Sequence, residues 1–318
     1  MTASELFINP KEGRLRAAWR MAIFIAAFML LNSGVFAVLI PLLTSAGIVR
    51  SRVLFTVITY LVVTVVTWGV CRWIDRRPLR SVGLGFHDRT LVELSQGLAL
   101  GALMMGVIFL AITASGMAEF HWKDLSWTQA AWMAAVSFAE FAAVAWGEEL
   151  LFRGYLFQTL AEGTTRITAV AVFAVFFGVV HMGNPNVTFF SLVNIAIAGV
   201  WLSAAYFKTR GLWLPVGLHF SWNFFQNHVF SFPVSGIQMS ETQLGTVTDR
   251  GPEWLTGGAF GPEGGAIATV MLLAGSAFIW FSPAIRPSAW AWVKWPAPGE
   301  TKTGQVLQGE AGSSPDAV

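Results

Sequence analysis

Two adjacent carboxylates and an arginine interrupt a mostly apolar run between positions 130 and 160, namely Glu148, Glu149 and Arg153. An ionisable side chain inside a bilayer costs roughly 2.5 kcal/mol or more, so its presence there indicates a function. Glu149 and Arg153 are four residues apart with the acid first, the favourable order for an ion pair on one helix face. Glu148 points about 100° away from that face. We therefore predict that Glu149 and Arg153 are a supporting pair, and that Glu148 is free to act on another molecule.

Three further polar residues lie in two later apolar runs. His181 ends the first of these runs, whereas His219 and Asn223 lie four residues apart in the second and share one helix face. From the helical rise, Glu148 lies roughly 18 Å, His181 roughly 21 Å, and His219 and Asn223 roughly 11 and 17 Å from the cytoplasmic ends of their runs. The four side chains are thus predicted to lie at a similar depth in the membrane. This prediction requires the apolar run that contains Glu148 to continue to about residue 160.

These residue types suit hydrolysis. A carboxylate in a cavity of low dielectric constant can act as a general base toward water, and imidazoles can orient that water or bind a metal. An asparagine amide can stabilise an oxyanion. Ser221 points about 160° away from the shared face of His219 and Asn223, which favours attack by water over an acyl-enzyme. Whether Glu140, two turns before Glu148, belongs to the site or to the outer interface stays open.

Composition places the chain in a membrane. Of its 318 residues, 55% are hydrophobic and 12% are charged, whereas soluble domains carry roughly 25% charged residues. The mean hydropathy is +0.60. The chain has no concentrated basic run that would bind nucleic acid. Its single cysteine, Cys71, excludes an intrachain disulfide and a Cys-x-x-Cys metal site.

Eight apolar runs are long enough to be candidate spans. They cover residues 21–43, 53–70, 94–115, 131–160, 167–182, 187–207, 212–232 and 266–281. The predicted fold class is therefore all-α: a polytopic membrane helical bundle of about eight transmembrane helices with an intramembrane polar cavity. Gly97 and Gly101, spaced as Gly-x-x-x-Gly, predict a close helix contact in the third span.

Loop charges predict the topology. Most lysine and arginine residues precede the first span or follow spans two, four, six and eight: Arg14, Arg16, Arg20, Arg72, Arg76, Arg77, Arg80, Arg89, Arg166, Lys208, Arg210, Arg286 and Lys294. The alternate loops hold Arg50, Arg52 and most of the loop acids. The positive-inside rule then makes both termini cytoplasmic. The protein is predicted to be a multi-pass protein of the plasma membrane, or of the inner membrane in a bacterium.

The chain divides into six regions on this basis. Residues 1–20 form a cytoplasmic segment, 21–129 hold the first three spans, and 130–232 hold spans four to seven with the candidate catalytic residues. Residues 233–265, rich in Gly, Pro, Ser and Thr, are predicted to be a flexible extracytoplasmic connector rather than a lid. Residues 266–295 hold the last span and a basic flank, and 296–318 a disordered tail.

Three motifs together resemble the CPBP family of intramembrane proteases, which includes the CAAX prenyl endopeptidase and proteins linked to bacteriocin processing and immunity. The motifs are EExxxR at Glu148 to Arg153, FxxxH at Phe177 to His181, and HxxxN at His219 to Asn223. The resemblance covers residues 130–232. It implies an eight-span bundle whose cavity opens toward the cytoplasm or the lipid.

The resemblance also implies a role for each motif residue. Glu148 would be the water-activating base and His181 would assist it. His219 and Asn223 would stabilise the oxyanion or position water. Glu149 and Arg153 would be the supporting pair.

The sequence leaves open whether the protein binds a metal. Members of the family are described both as metalloproteases and as metal-free glutamate-type proteases. His181, His219 and Glu148 could serve as zinc ligands, although the His-Glu-x-x-His signature is absent.

The leading hypothesis is an intramembrane endopeptidase that acts on a peptide or membrane-protein substrate within the lipid bilayer. One alternative is a non-proteolytic adaptor or bacteriocin-immunity factor with the same fold. Another is a proton-coupled carrier, because intramembrane Glu and His also form proton relays. The sequence leaves open whether the substrate is prenylated, and it leaves open the oligomeric state.

Overall fold

The computed structural model describes residues 6–10, 13–45 and 52–289. Its helices are α1 (Ala17–Ser45), α2 (Arg52–Gly69), α3 (Thr90–Ala114), α4 (Trp127–Glu149), α5 (Tyr155–Gly163), α6 (Arg166–Val180), α7 (Phe189–Thr209), α8 (Trp213–Phe224), α9 (Glu253–Thr256) and α10 (Ala266–Phe281). Its strands are β1 (Ile8–Asn9), β2 (Arg14–Leu15), β3 (Ala118–Trp122) and β4 (Gly245–Asp249). Segments of π-helix extend α2 over Val70–Ile74, join α4 to α5 over Leu150–Gly154, and extend α8 over Phe225–Val229.

The predicted polytopic helical bundle is confirmed. Within the described residues, six helical stretches are long and apolar enough to cross a membrane: Ala17–Ser45, Arg52–Ile74, Thr90–Ala114, Trp127–Gly163, Arg166–Gly183 and Phe189–Thr209. The two other predicted spans correspond to α8 with its π-helical extension and to α10, which has 16 residues. Each predicted span thus coincides with a helix, whereas the count of eight crossings stays a prediction.

The fourth span is one continuous helical stretch of 37 residues, from Trp127 to Gly163. It begins at a capping box, in which the Ser126 side chain accepts a hydrogen bond from the Gln129 amide and the Gln129 side chain accepts one from the Ser126 amide. The π-helical segment widens the helix directly after the two acids. The stretch continues beyond residue 160. This length is what the prediction of a similar membrane depth for Glu148 and the other candidate residues requires.

Helices α3 and α8 pack at very short range, and glycines permit it. A Cβ on Gly97 would collide with the backbone of Leu214 and Leu218, and one on Gly217 would collide with the backbone of α3. Side chains larger than hydrogen would push the two helices apart. The predicted helix contact at Gly97 and Gly101 is confirmed, and it supports the helix that carries His219 and Asn223.

The segment between α8 and α10 packs against the bundle. Its strand β4 pairs antiparallel with β3, with Ala118 opposite Asp249 and Trp122 opposite Gly245. A short 3₁₀ turn precedes β4 at Ser240–Thr242, and two more follow it at Gly258–Phe260 and Pro262–Gly264. The predicted flexibility of this segment stays a prediction.

A network of buried ion pairs joins the N-terminal segment to the ends of α2 and α5. Arg20 lies 2.9 Å from Asp75 and 3.2 Å from Glu162, and Arg77 lies 3.3 Å from Glu162. Arg14 pairs with Glu162 at 3.1 Å. Arg20 is almost fully buried, and its charge is compensated by Asp75 and Glu162 at this end of the bundle.

Several predictions are not tested by the structure. The regional boundaries and the cytoplasmic location of both termini stay predictions. The proposed tail at 296–318, Arg50 and Lys294 lie outside the described residues.

Candidate active site

Glu149 and Arg153 form the ion pair that their spacing predicts. Arg153 Nη1 donates to Glu149 Oε1 over 3.0 Å, and both side chains are buried. Arg153 Nη2 donates to the carbonyl of Gly199 over 3.2 Å, and the guanidinium lies 4.8 Å from the centre of the Phe177 ring. The arginine therefore links α4, α6 and α7 around one buried charge pair.

Glu149 has a second partner that the sequence did not indicate. His219 Nδ1 lies 2.8 Å from the same oxygen, Glu149 Oε1, across a separation of 70 residues. A carboxylate oxygen accepts hydrogen bonds, so Nδ1 carries the proton and Nε2 is left to face the cavity. Glu149 thereby fixes both the tautomer and the orientation of His219.

Glu148 lies in a different environment from its neighbour. Its side chain is 18% exposed, whereas that of Glu149 is fully buried. Tyr60 donates its hydroxyl proton to Glu148 Oε1 over 3.0 Å. The other oxygen, Oε2, lies 3.8 Å from His219 Nε2. A carboxylate oxygen and an imidazole nitrogen thus face each other across a gap beside the cavity.

A cavity of about 550 Å³ brings the four predicted residues together. Glu148, His181, His219 and Asn223 all line it, although they come from three different helical stretches. Glu149 and Arg153 do not line it and lie behind Glu148 and His219. The roles of these six residues stay a prediction.

His181 lies at the end of α6, where the helix tightens into the 3₁₀ turn His181–Gly183. Its Nδ1 is 2.6 Å from the carbonyl oxygen of Phe177, one turn earlier. Because a carbonyl only accepts, Nδ1 is the donor and Nε2 of the neutral ring retains a lone pair. The local helix therefore sets the orientation of this imidazole.

Asn223 and Ser221 have opposite surroundings on α8. Asn223 lines the cavity, one turn after His219. Ser221 is fully buried, and its hydroxyl donates to the carbonyl of Gly217 at 2.9 Å within α8. The serine faces α3 rather than the cavity, which agrees with the prediction that it is not the nucleophile.

Two cavity residues were missed or left open by the sequence. Tyr60 was missed, although a hydroxyl in the middle of an apolar span is a signal of the same kind as an intramembrane histidine. Glu140 was left open; it lines the cavity and pairs with Arg52, whose Nε lies 2.8 Å from Glu140 Oε1.

Glu263 is a second cavity residue that the sequence did not indicate, and it comes from the segment between α8 and α10. Its Oε2 accepts from the amide of Ser235 at 2.7 Å and from the hydroxyl of Ser235 at 2.9 Å, and Trp222 Nε1 lies 3.3 Å from Oε1. Burial raises the pKa of Glu263, while the hydrogen bonds from Ser235 act in the opposite direction. Nothing in its Gly- and Pro-rich surroundings indicates that it folds back to line the cavity.

The candidate zinc ligands are His181, His219 and Glu148. Among the described residues, no three His, Cys, Asp or Glu side chains come together in a group that could hold a metal ion. Nδ1 of both His181 and His219 is engaged by an oxygen acceptor, which leaves Nε2 of each neutral ring with a lone pair. A histidine that binds a metal makes the same hydrogen bond through its other nitrogen, so the choice between a metallo- and a glutamate-type protease stays open.

The fold and the site together define a multi-pass integral membrane protein with a polar site inside a helical bundle. Residues 129–225 match the family model described as Type II CAAX prenyl endopeptidase Rce1-like. This match confirms the resemblance to the CPBP family for the segment that holds Glu148, His181, His219 and Asn223, and it supports an intramembrane endopeptidase. No curated protein and no solved structure matches the chain.

Proposed function

We propose that this protein is an intramembrane endopeptidase in which Glu148 activates the attacking water. The contrast between two adjacent acids carries the proposal. Glu149 is buried and is shared by Arg153 and His219. Glu148 faces the cavity, and its Oε2 lies 3.8 Å from His219 Nε2. His219, which Glu148 shares with Glu149, is the one basic side chain paired with Glu148 among the described residues. An intramembrane carboxylate is costly, and a catalytic role accounts for its presence.

The reaction follows from these positions. A water molecule in the cavity gives a proton to Glu148 as its oxygen attacks the carbonyl carbon of the scissile peptide. Glu148 then passes that proton to the departing nitrogen, so that one product ends in a carboxylate and the other begins with an amine. His181 Nε2 accepts a hydrogen bond from the water and orients it.

The oxyanion receives hydrogen bonds from two groups on α8. The Asn223 amide is a donor, and His219 Nε2 is one when the ring is protonated, a state that the carboxylate of Glu149 stabilises. Arg153 holds Glu149 in place and does not touch the reacting atoms. Glu149 and Arg153 are therefore positioning residues, whereas Glu148, His181, His219 and Asn223 are catalytic residues.

The substrate is a peptide or the segment of a membrane protein that enters the cavity. A volume of about 550 Å³ accommodates several side chains of an extended chain. The name of the matched family, a CAAX prenyl endopeptidase, makes a prenylated C-terminal segment one candidate within this class.

The test compares new peptide termini across the membrane proteome of cells that make wild-type protein or Glu148→Gln at matched abundance. We expect a set of termini that is present with wild type and absent with Glu148→Gln. Loss of a general base lowers the rate by roughly 100-fold or more, and residues flanking the lost termini will show whether the substrates carry a CAAX-like tail.

Glu119→Gln is the matched control, because Glu119 is an exposed acid paired with Arg250 away from the cavity. It should leave the termini unchanged. Identical termini for Glu148→Gln and wild type would contradict the proposal and would favour a non-proteolytic adaptor or immunity factor.

A further inference from the structure

The polar lining of the cavity comes largely from one end of the bundle. Arg52 is the first residue of α2, and Asn184 follows α6. Ser235 and Ile237 follow α8, and Glu263 directly precedes α10. All five line the cavity. We call this end, formed by the start of α2 and by residues 181–188 and 230–265, the loop end.

The opposite end is closed to the cavity. On the far side of Glu148 come Leu150, Phe152, Tyr155 and Phe157, each at most 3% exposed. Beyond them lies the buried network of Arg20, Asp75 and Glu162 with Arg14 and Arg77. We call this end the basic end. A packed apolar layer backed by a network of ion pairs leaves no polar route for a peptide.

The loop end also holds the charged mouth of the cavity. The side chain of Arg52 is 43% exposed, and that of its partner Glu140 is 6% exposed. Thr56 and Thr59 follow Arg52 on α2 and line the cavity on the way to Tyr60, which contacts Glu148. A row of polar side chains therefore leads from the mouth to the candidate base.

The two ends differ in the charge of their surface segments. The basic end carries the arginines Arg72, Arg76, Arg80 and Arg166. The loop end carries four acids and two arginines, namely Glu241, Asp249, Glu253, Glu263, Arg52 and Arg250. By the positive-inside rule, the basic end faces the cytoplasm.

We infer that the candidate site is reached from the loop end and that this end faces away from the cytoplasm. Its ligands are then peptide segments exposed on the extracytoplasmic face. The resemblance to the protease family implies access from the cytoplasm or the lipid, so this route is a departure from it. That the incoming peptide is cleaved rests on the proposed function, whereas the access route does not.

Single-cysteine labelling tests the route in the full chain. In a Cys71→Ser background, Thr56→Cys and Thr59→Cys probe the cavity, Gln238→Cys probes the loop end, and Arg72→Cys probes the basic end. Gln238 and Arg72 are exposed, whereas Cys71 is buried. The probe is a small, membrane-impermeant thiol reagent applied to intact cells and to permeabilised cells. Only variants with wild-type abundance and elution profile are scored.

We expect Gln238→Cys and at least one of the two threonine variants to react in intact cells. Arg72→Cys should react at least tenfold more after permeabilisation. Two results would overturn the inference: cavity cysteines that react together with Arg72→Cys only after permeabilisation, or cavity cysteines that fail to react in intact cells in which Gln238→Cys does.

The two proposals can fail separately. Labelling needs no proteolysis, so a protein without protease activity would give the same labelling pattern if the route is correct. If the protein is a protease whose substrates enter from the basic end, cells with Glu148→Gln would lack the cleavage termini. The cavity cysteines would then react only after permeabilisation, together with Arg72→Cys.

Discussion

At the scale of single residues, two identical side chains in adjacent positions have opposite environments. The 100° turn between neighbouring helical positions directs Glu149 into the protein, toward Arg153 and His219, and Glu148 toward the cavity. Environment rather than residue type therefore separates a structural carboxylate from a candidate base.

The buried pair allows a prediction about abundance. Glu149→Ala should lower the free energy of unfolding by about 3–5 kcal/mol, because it leaves the buried charge of Arg153 without its partner. Arg153→Ala should lower it by less, because Glu149 keeps His219 as a partner. Both variants should be less abundant in the membrane and melt at lower temperature in detergent than wild type.

The exposed pair of Glu119 and Arg250 is the control for this prediction. Its side chains are 46% and 59% exposed, so Glu119→Ala and Arg250→Ala should change stability by about 1 kcal/mol at most. Wild-type abundance and melting temperature for both Glu149→Ala and Arg153→Ala would disprove the supporting role.

Contacts between side chains that are close in sequence could be predicted, whereas contacts between distant residues could not. The pairing of Glu149 with Arg153 follows from helical spacing, and the convergence of Glu148 and His181 follows from depth. The contact between Tyr60 and Glu148 spans 88 residues. No local pattern encodes which face of α2 meets α4, so Tyr60 emerged only from the tertiary packing.

At the scale of elements, the contact of α3 with α8 determines where His219 and Asn223 on α8 lie. We predict that Gly97→Ala lowers both the melting temperature and the activity. The added methyl group would collide with the backbone of Leu214 and Leu218, which costs roughly 1–3 kcal/mol and displaces His219.

Gly106→Ala provides a control within the same helix. A Cβ at Gly106 would have only Phe230 near it, at an ordinary contact distance of 3.9 Å. Because alanine favours helix more than glycine does, this variant should be as stable as wild type or more so. Equal effects of the two substitutions on melting temperature and cleavage would show that the close contact does not position the site.

The elements differed in how well the sequence predicted them. Within the described residues, each predicted apolar run coincides with a helical stretch, because a bilayer requires long apolar helices. The predicted span 266–281 matches α10 to the residue. The π-helical segments and the pairing of β3 with β4 left no periodic signal, since both depend on contacts between distant segments.

At the scale of the whole molecule, the segment between α8 and α10 forms one wall of the cavity and Glu263 anchors it. The carboxylate links Ser235 to Trp222 on α8. We predict that Glu263→Gln speeds hydrogen exchange at the amides of residues 234–239 by about tenfold, since hydrogen bonds to a charged acceptor contribute roughly 1.5–3 kcal/mol.

Glu253→Gln in the same segment is the control, because Glu253 is exposed and should leave exchange unchanged. Hydrogen exchange of both variants, measured by mass spectrometry in detergent or nanodiscs, tests this prediction. Unchanged protection of residues 234–239 in Glu263→Gln would mean that other contacts hold the wall.

The buried charges at the basic end have a consequence for biosynthesis. Arg20 pairs with Asp75 and Glu162, which follow it by 55 and 142 residues. A guanidinium leaves water only when its counter-charges are present, so the start of α1 cannot reach its final position until the ribosome has completed α5. Helix α1 is therefore made before α5 but completes its packing after it, and until then the Arg20 guanidinium stays hydrated.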